Sequence, residues 1–274
     1  MIFVYSAWER FCAALKEKGI FSLPAREVSG NSDTLLVLKH DIENTPAKAY
    51  KLAEIESKYG HRCSYYAQAY LLEDPKNVEI LRKIQALGHE VSYHYDVMDS
   101  NHGDLDGAIR EFEAHRARFE ELGFPLVTVC QHGNPIVERV GYTSNRDFFR
   151  SWRVRELYPS MADIMVNYKE QYCVEYTYFS DAGRQFKMIF DPLNNDVVSS
   201  DEKNVPYEDL RALLAALPTH AIISTHPHRW TGSAVVYLVK EKIFMMIKAV
   251  AKLAARVPFL KKIMSRYYYL AKKL

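Results

Sequence analysis

The sequence predicts an α/β fold built as a distorted or incomplete (β/α) barrel, followed by a C-terminal helical extension. Short apolar runs alternate with longer helical segments from about residue 33 to residue 230, which is typical of βαβ units in a parallel sheet. Histidine and carboxylate clusters follow several of these runs, where barrels place their functional groups. The length of 274 residues suits one barrel domain with an appendage.

The apolar runs and the residues that bound them define the expected elements. Proline in a first helical turn favours helix starts at Pro46, Pro75 and Pro206, and glycine ends the first two helices at Gly60 and Gly88. Strands are expected at residues 35–38, 63–69, 90–95, 126–130 and 221–224, and helices at 46–59, 75–87, 104–122 and 206–217. The aromatic-rich segment 136–171 is expected to form irregular structure over the site.

Composition and cysteine usage are those of a reduced, globular protein. The chain is 48% hydrophobic and 26% charged, a balance that allows a sizeable core. Cys12, Cys63, Cys130 and Cys173 form no CxxC pair, so a disulfide framework or a zinc ribbon is not expected. The first residues lack a secretory signal pattern, and no window holds about 18 uncharged apolar residues. We therefore expect a cytoplasmic protein without a transmembrane span.

Charge divides the chain into two parts. Residues 237–274 contain ten lysine and arginine residues against one acid, Glu241, a net charge of 10 − 1 = +9. Because the whole chain carries +2, residues 1–236 sum to 2 − 9 = −7. We expect a barrel over residues 1–233 and a basic tail of two amphipathic helices, divided near Pro258, over residues 234–274.

Two roles remain open for this tail. Basic helices with large apolar faces lie in membrane interfaces, where lysine meets anionic headgroups, so peripheral contact with the inner membrane face is one role. The other is packing of the apolar faces on the barrel or on a second subunit. The dense apolar content argues against nucleic acid as the partner.

Asp41 and Glu43 follow the first apolar run and carry the strongest chemical signal. Because they are two residues apart, their side chains share one face of an extended backbone. One carboxylate can then bind a divalent metal while the other acts as general base. Capping of the following helix is the alternative, because acidic residues stabilise a helix N-terminus.

Histidines occur in three further clusters. His94 lies nearer the end of its predicted strand than His89, so His94 is the better metal ligand, and Asp96 could fix its tautomer. His132 begins a loop at a strand end. His226 ends the last strand, where an imidazole can hold a metal or act as general acid.

The remaining polar side chains of these clusters are predicted to contact the substrate: His40, Asn134, Asp181, Arg184 and His228. For residues 180–184, orientation of a catalytic histidine and a plain turn remain alternatives. The chain contains no GxSxG, P-loop, GxGxxG or HExxH motif. The nucleophile is therefore assigned to a water activated by the metal.

In their order along the chain, these clusters resemble the motifs of the polysaccharide deacetylase superfamily (NodB-like, carbohydrate esterase family 4). The resemblance is strongest to its divergent branch associated with bacterial surface-polysaccharide loci, and it covers about residues 33–230. The five motifs are Lys-His-Asp-Ile-Glu at 39–43, Gly-His-Glu-Val-Ser-Tyr-His-Tyr-Asp at 88–96, His-Gly-Asn-Pro at 132–135, Ser-Asp-Ala-Gly-Arg at 180–184 and Thr-His-Pro at 225–227.

The resemblance implies a barrel of deacetylase type that hydrolyses an N- or O-acetyl group of a sugar. The implied cofactor is a divalent metal, zinc first, with cobalt, nickel or manganese as alternatives. The implied roles are general base for Asp41, general acid for His226, and metal ligand for Glu43 and His94. Met98 replaces the family's usual second histidine and is a poor ligand for such cations. We expect His132 to supply the third ligand instead.

The sequence therefore predicts a metal-dependent deacetylase that acts in cell-surface polysaccharide synthesis of O-antigen or capsule type. Its substrate would be an acetylated sugar or a nucleotide-linked or lipid-linked glycan precursor. Two alternatives stay open. A different metal hydrolase, of amidohydrolase-like or phosphoesterase type, would hold two metals. A degenerate, non-catalytic relative would bind glycan or tether partners through its tail.

Overall fold

The computed structural model describes residues 3–30, 35–134, 137–199 and 201–254. Its helices are α1 (Tyr5–Glu17), α2 (Pro46–Lys58), α3 (Pro75–Ala86), α4 (Val97–Ser100), α5 (Leu105–Glu121), α6 (Asp147–Arg150), α7 (Trp152–Leu157), α8 (Tyr168–Tyr172), α9 (Leu210–Ala215) and α10 (Ala234–Ala254). Its strands are β1 (Leu35–Ile42), β2 (Ser64–Ala67), β3 (Glu90–Tyr95), β4 (Thr128–Gln131), β5 (Ala162–Asp163), β6 (Thr177–Ser180), β7 (Lys187–Ile189), β8 (Val205–Pro206) and β9 (His220–Thr225).

The strands form one sheet in the order β5-β4-β3-β2-β1-β9-β6-β7-β8. Pairing is parallel from β5 to β6, and β7 and β8 extend the β6 edge in antiparallel fashion. Over the described ranges, the edge strands β5 and β8 do not pair with each other. The predicted α/β fold is confirmed, and the barrel is an incomplete one.

Side chains of β1 alternate between two hydrophobic cores. Leu36 and Leu38 belong to the larger core, which also contains Leu52 of α2 and therefore lies between the sheet and its helices. Leu35 and Val37 belong to a smaller core on the other face of the sheet. All eight residues of β1 are buried, as expected for a parallel strand that is covered on both faces.

The sheet curves strongly enough to bring the ends of separated strands together. β2 and β3 lie between β1 and β4 in the strand order. A spacing of about 4.8 Å between neighbouring strands would hold β1 and β4 roughly 14 Å apart in a flat sheet. Nevertheless, Nε2 of His132, just after β4, lies 3.5 Å from Oε1 of Glu43, just after β1. This convergence is the geometry of a partial barrel, and it builds the site described below.

Several expected elements are present with different ends. β1 continues past residue 38 to Ile42, which puts His40 and Asp41 on opposite faces of the strand. The helix expected from Pro206 begins at Leu210, because the Asp209 carboxylate accepts hydrogen bonds from two N–H groups of its first turn. Pro206 itself lies in β8. The segment expected to be irregular contains the short elements α6, α7, β5 and α8.

The basic tail begins with α10, which packs on the barrel through one face. Tyr237 is buried, with its ring centroid 6.0 Å from that of Phe3, and Glu241 pairs with Arg184 at 2.8 Å. No helix within the described ranges is both long and apolar enough to cross a membrane. The second tail helix expected around Pro258 lies outside the described residues, as does Pro135 of the fourth strand's loop.

Candidate active site

A cavity of about 460 Å³ opens where the carboxyl ends of β1, β3, β4, β6 and β9 converge. Side chains reach it because alternate residues of each strand point to the inner face of the sheet. Lys39 and Asp41 of β1 and His94 of β3 line its wall, and Glu43 and His226 line it from just beyond their strands. The functional groups therefore meet at the sheet edge where the sequence predicts them.

Glu43, His94 and His132 form a compact group of metal-ligand type. One ligand atom from each residue lies within 4.8 Å of the other two, and Glu43 Oε1 is 3.5 Å from His132 Nε2. Tetrahedral zinc with bonds of 2.0–2.2 Å places neighbouring ligand atoms about 3.4 Å apart. One carboxylate and two imidazoles also match the oxygen and nitrogen donors that zinc prefers. The residues therefore fit a divalent cation, as the prediction for this trio requires.

His94 is prepared to act as a ligand. Its Nδ1 lies 3.0 Å from the Cys130 carbonyl oxygen, and because a carbonyl only accepts, Nδ1 carries the proton and Nε2 keeps its lone pair. Burial lowers the pKa of His94 to about 3, although Asp41 acts in the opposite direction. The ring is therefore neutral at physiological pH. The expected acceptor for His94, Asp96, instead lies 4.0 Å from Nδ1 of His132.

The loop that carries His132 is held by hydrogen bonds from two sides. The backbone N–H of His132 donates to the Tyr95 carbonyl at 2.7 Å. Its own carbonyl accepts from Nδ2 of Asn145 at 2.8 Å, and Asn145 also donates to Asp99 at 2.9 Å. Asn145 belongs to the segment that the sequence places over the site. This segment therefore fixes the third member of the group rather than only covering it.

Asp41 has one paired oxygen and one available oxygen. Oδ2 accepts from Nζ of Lys39 at 2.7 Å, and the same ammonium donates to Ser224 Oγ at 3.2 Å. Oδ1 has no hydrogen-bond partner among the described residues. Burial alone would raise the pKa of Asp41, but the Lys39 charge, the two histidines of the cavity and the hydrogen bond from Lys39 together outweigh it and lower the pKa. Asp41 therefore stays ionised and can accept a proton in the cavity.

Asp181 holds His226 in one orientation. Asp181 Oδ1 lies 2.6 Å from His226 Nδ1, and its Oδ2 accepts from the His226 backbone N–H at 3.0 Å. Arg229 and Thr225 complete its contacts, at 2.6 and 2.7 Å. Burial would raise the pKa of Asp181, but Arg229 and His226 lower it overall. The substrate contact predicted for Asp181 is therefore corrected: this fully buried carboxylate orients His226, which the sequence leaves open as an alternative.

His226 Nε2 faces both acidic residues of the first motif. It lies 3.9 Å from Asp41 Oδ2 and 3.7 Å from Glu43 Oε1. Its other nitrogen is bound to Asp181, so Nε2 is the atom available to a ligand in the cavity. A carboxylate and an imidazole thus stand on either side of the space next to the metal-ligand group.

His40 lies away from the cavity, which corrects its predicted substrate contact. Because β1 continues to Ile42, His40 points to the face opposite Asp41. It is fully buried, stacks on Tyr65 at 4.3 Å and lies 2.8 Å from Glu56. Burial raises the pKa of Glu56, but His40 and hydrogen bonds outweigh it and lower that pKa to about 2. His40 therefore stabilises the core between β1 and the helices.

The other predicted substrate contacts divide into two groups. Arg184 and His228 line the cavity, and burial lowers the pKa of His228 to about 3, so its ring is neutral. Asn134 lies beside the site, where its backbone carbonyl accepts from Arg139 at 2.8 Å. The neighbouring Gly133 lines the cavity. Substrate contact by these three residues stays a prediction.

Met98 and His89 take structural positions. Met98 is buried in the larger hydrophobic core. Nδ1 of His89 accepts from the Cys63 N–H at 3.0 Å, and Nε2 lies 3.1 Å from the Ala53 carbonyl. His89 therefore packs structurally, as expected from its place in the strand.

Sequence reasoning assigned no role to several residues of the cavity wall. Lys39, Cys130, Gln131, Arg146 and Arg229 all line it. The position of Lys39, two residues before Asp41, is a signal that could have placed it on the same face. Arg146 is 5% exposed and pairs with Asp196 at 2.8 Å, a long-range contact without any signal in the sequence.

No family model matches the sequence, and no curated protein matches it. Solved structures do match. The Xyl-CE4 domain of a multidomain xylanase from the hindgut metagenome of Trinervitermes trinervoides is 13% identical over 72% of this chain and 75% of its own, with a TM-score of 0.41. A CE4 family pseudoenzyme from Bacillus anthracis is 10% identical over 84% of this chain and 66% of its own, with a TM-score of 0.42. A mutant of the peptidoglycan deacetylase PdaC from Bacillus subtilis is 14% identical over 90% of this chain and 99% of its own, with a TM-score of 0.40.

Proposed function

We propose that this protein is a metal-dependent hydrolase that removes an acetyl group from a sugar. One observation carries the proposal. Asp41 and His226 face each other at 3.9 Å beside the group formed by Glu43, His94 and His132. Hydrolysis of an acetyl group needs a base, an acid and an electrophile at one carbonyl, and this cavity supplies residues for all three.

Asp41 is the general base in this proposal. Its carboxylate is ionised, and Oδ1 has no protein partner among the described residues, so it can take the proton of an attacking water. Lys39 holds the other oxygen at 2.7 Å, which fixes the direction in which Oδ1 points. A positioned base of this kind contributes about 10²–10⁴-fold to a rate.

His226 is the general acid. Asp181 binds Nδ1 at 2.6 Å, so Nε2 is directed into the cavity and can protonate the leaving nitrogen or oxygen of the sugar. The Asp181 carboxylate behind the ring also fixes which nitrogen faces the cavity, because it occupies Nδ1. The acid and the base thus keep distinct partners, Asp181 and Lys39.

Glu43, His94 and His132 would hold the cation. When bound, a divalent metal would polarise the acetyl carbonyl and make water more acidic. Zinc is the first candidate, with cobalt, nickel and manganese as alternatives, because the donor set contains two imidazoles. The Cys130 carbonyl fixes the His94 ring, and hydrogen bonds from Asn145 fix the loop of His132.

The substrate in this proposal is an acetylated sugar or a glycan precursor linked to a nucleotide or a lipid, in synthesis of a cell-surface polysaccharide. The five motifs support this class through their resemblance to the surface-polysaccharide branch of the deacetylases. Residues 234–274 are the part of the chain that we expect to contact an inner membrane surface. The cavity wall adds neutral His228 and the cations Arg146 and Arg184 as groups for sugar hydroxyls or an anionic linker.

Release of acetate tests the proposal. Zinc-loaded protein would be incubated with an N-acetylhexosamine, its nucleotide-linked form and an O-acetylated sugar, and acetate would be quantified. We expect release by the wild type and a loss of at least about 100-fold in Asp41→Asn and His226→Gln. His102→Asn is the matched control, because His102 is exposed with a φ of 51° that asparagine tolerates.

Other outcomes separate the alternatives. Metal binding with hydrolysis of phosphoesters, and no acetate from any acetylated sugar, would identify a different metal hydrolase. Sugar binding without metal and without acetate release would identify a non-catalytic relative. Equal rates in the wild type and in Asp41→Asn would contradict the role assigned to Asp41.

A further inference from the structure

α10 presents an apolar stripe to the side away from the barrel. Val236, Val239, Ile243 and Met246 follow one another at helical spacings of three and four residues. Val239 lies two residues from the buried Tyr237, a rotation of about 200° on a helix of 3.6 residues per turn. The exposed fractions in the outer stripe are 45% for Val236, 52% for Val239, 44% for Ile243 and 68% for Met246. These side chains therefore form an exposed apolar surface on a helix whose other face is docked.

Cations flank the outer stripe on both sides. Lys240 and Lys242 are exposed and lie about 60–100° from Val239 around the helix axis. Glu241, the one acid among residues 237–274, is paired with Arg184. An apolar stripe between lysines is the arrangement of helices that lie in a membrane interface.

The same helix adjoins the cavity mouth. Arg184 lines the cavity, and its guanidinium donates to Glu241 at 2.8 Å. Lys48 donates to the His228 carbonyl at 2.5 Å. Burial, together with the nearby charges of Lys240 and Arg184, lowers the pKa of Lys48 to about 8. A group of cations thus lies between the cavity and α10, where it can attract anionic headgroups.

We propose that the outer stripe of α10 docks this protein on an anionic lipid surface and so holds the cavity mouth at that surface. The lysines beside the stripe complement lipid phosphates. A second copy of the chain is a poorer occupant, because two basic helices would repel each other. Membrane docking is independent of catalysis; only its consequence, that the acetylated sugar is presented at the membrane, rests on the proposed function.

Vesicle sedimentation of the full chain tests the docking. We expect binding to phosphatidylcholine vesicles that contain phosphatidylglycerol, weaker binding to phosphatidylcholine alone, and weakening at high salt. Val239→Glu combined with Ile243→Glu should reduce binding to the anionic vesicles at least about tenfold. Val140→Glu combined with Val197→Glu is the matched control. These valines are exposed outside α10, and this pair adds the same charge.

Two further measurements keep the outcomes distinct. His94→Ala should lose metal and still bind vesicles. The docking result would therefore stand even if the protein proved not to be a hydrolase. The oligomeric state of both double variants would be measured by light scattering. If the wild type ignores anionic vesicles, or if the stripe variant binds them as well as the control does, the inference is wrong. A wild-type dimer that ignores vesicles and dissociates in the stripe variant would assign the surface to a second copy.

Discussion

The Lys39 ammonium lies 2.7 Å from Oδ2 of Asp41, and both side chains are buried, with 1% and 8% of their surfaces exposed. Asp41 and the Ser224 hydroxyl share this ammonium. Burial alone would lower the pKa of Lys39, but the Asp41 charge, first among several contacts in the cavity wall that together outweigh burial, helps to raise the pKa well above its usual range. Each charge is therefore kept in the cavity wall by the other, and neither can be removed without leaving its partner uncompensated.

Removal of the Lys39 charge should destabilise the fold more than removal of both charges. We expect Lys39→Met to cost about 3–5 kcal/mol, because it leaves a buried carboxylate without its cation. The double variant Lys39→Met with Asp41→Asn should cost less than the sum of the two single changes. Urea denaturation of the four proteins measures this coupling. Strictly additive free energies of unfolding would show that the pair is not coupled.

Loss of the Asp181 carboxylate should impair turnover without removing the metal. We expect Asp181→Asn to lower kcat on the order of 10²–10⁴-fold, because the amide cannot hold the His226 ring in one orientation as the carboxylate does. Metal content should stay at the wild-type level, since Asp181 lies outside the metal-ligand group. The change Asp191→Asn serves as the control, because Asp191 is partly exposed and does not line the cavity. A kcat equal to that of the wild type would show that turnover does not depend on the contact between Asp181 and His226.

Acid should destabilise the fold through Glu56. The pKa of Glu56 is lowered to about 2 from 4.5, so its contribution to stability is present above about pH 4.5 and is lost as the pH falls towards 2. The shift corresponds to roughly 3 kcal/mol. The difference in unfolding free energy between the wild type and Glu56→Gln should therefore shrink between pH 5 and pH 2.

The Glu54→Gln change provides the comparison for this pH series, since the partly exposed Glu54 of α2 pairs with the exposed Lys51. Its difference from the wild type should stay small throughout. A Glu56→Gln difference that does not change with pH would contradict the assigned contact between Glu56 and His40.

The alternation of short apolar runs with amphipathic helical segments predicted most of the parallel strands and the helices between them. β3 has the expected bounds of 90–95, and α2 begins at Pro46 as expected. β6 and β7 and the N-terminal helix α1 were not expected. β6 and β7 have four and three residues, and no apolar run bounded by turn residues marks them in the sequence.

The roles of individual side chains were harder to predict from the sequence than the positions of the strands and helices. The faces on which His40 and Asp41 lie depend on where β1 ends. Because β1 extends four residues beyond the predicted strand, His40 points into the core and not into the cavity. The contact between Asp181 and His226 joins residues that are 45 positions apart, so spacing alone could not choose it over a substrate contact. The meeting of Glu43 with His132 depends on curvature of the sheet, which no local pattern records.

Metal content tests the central claim most directly. Wild-type protein, His94→Ala, His132→Ala and the control His102→Asn would be purified without chelator, and bound metal would be measured by mass spectrometry. We predict about one equivalent per chain in the wild type and the control, and loss of metal in both ligand variants. No bound metal in the wild type, even after addition of zinc, cobalt, nickel or manganese, would contradict the account.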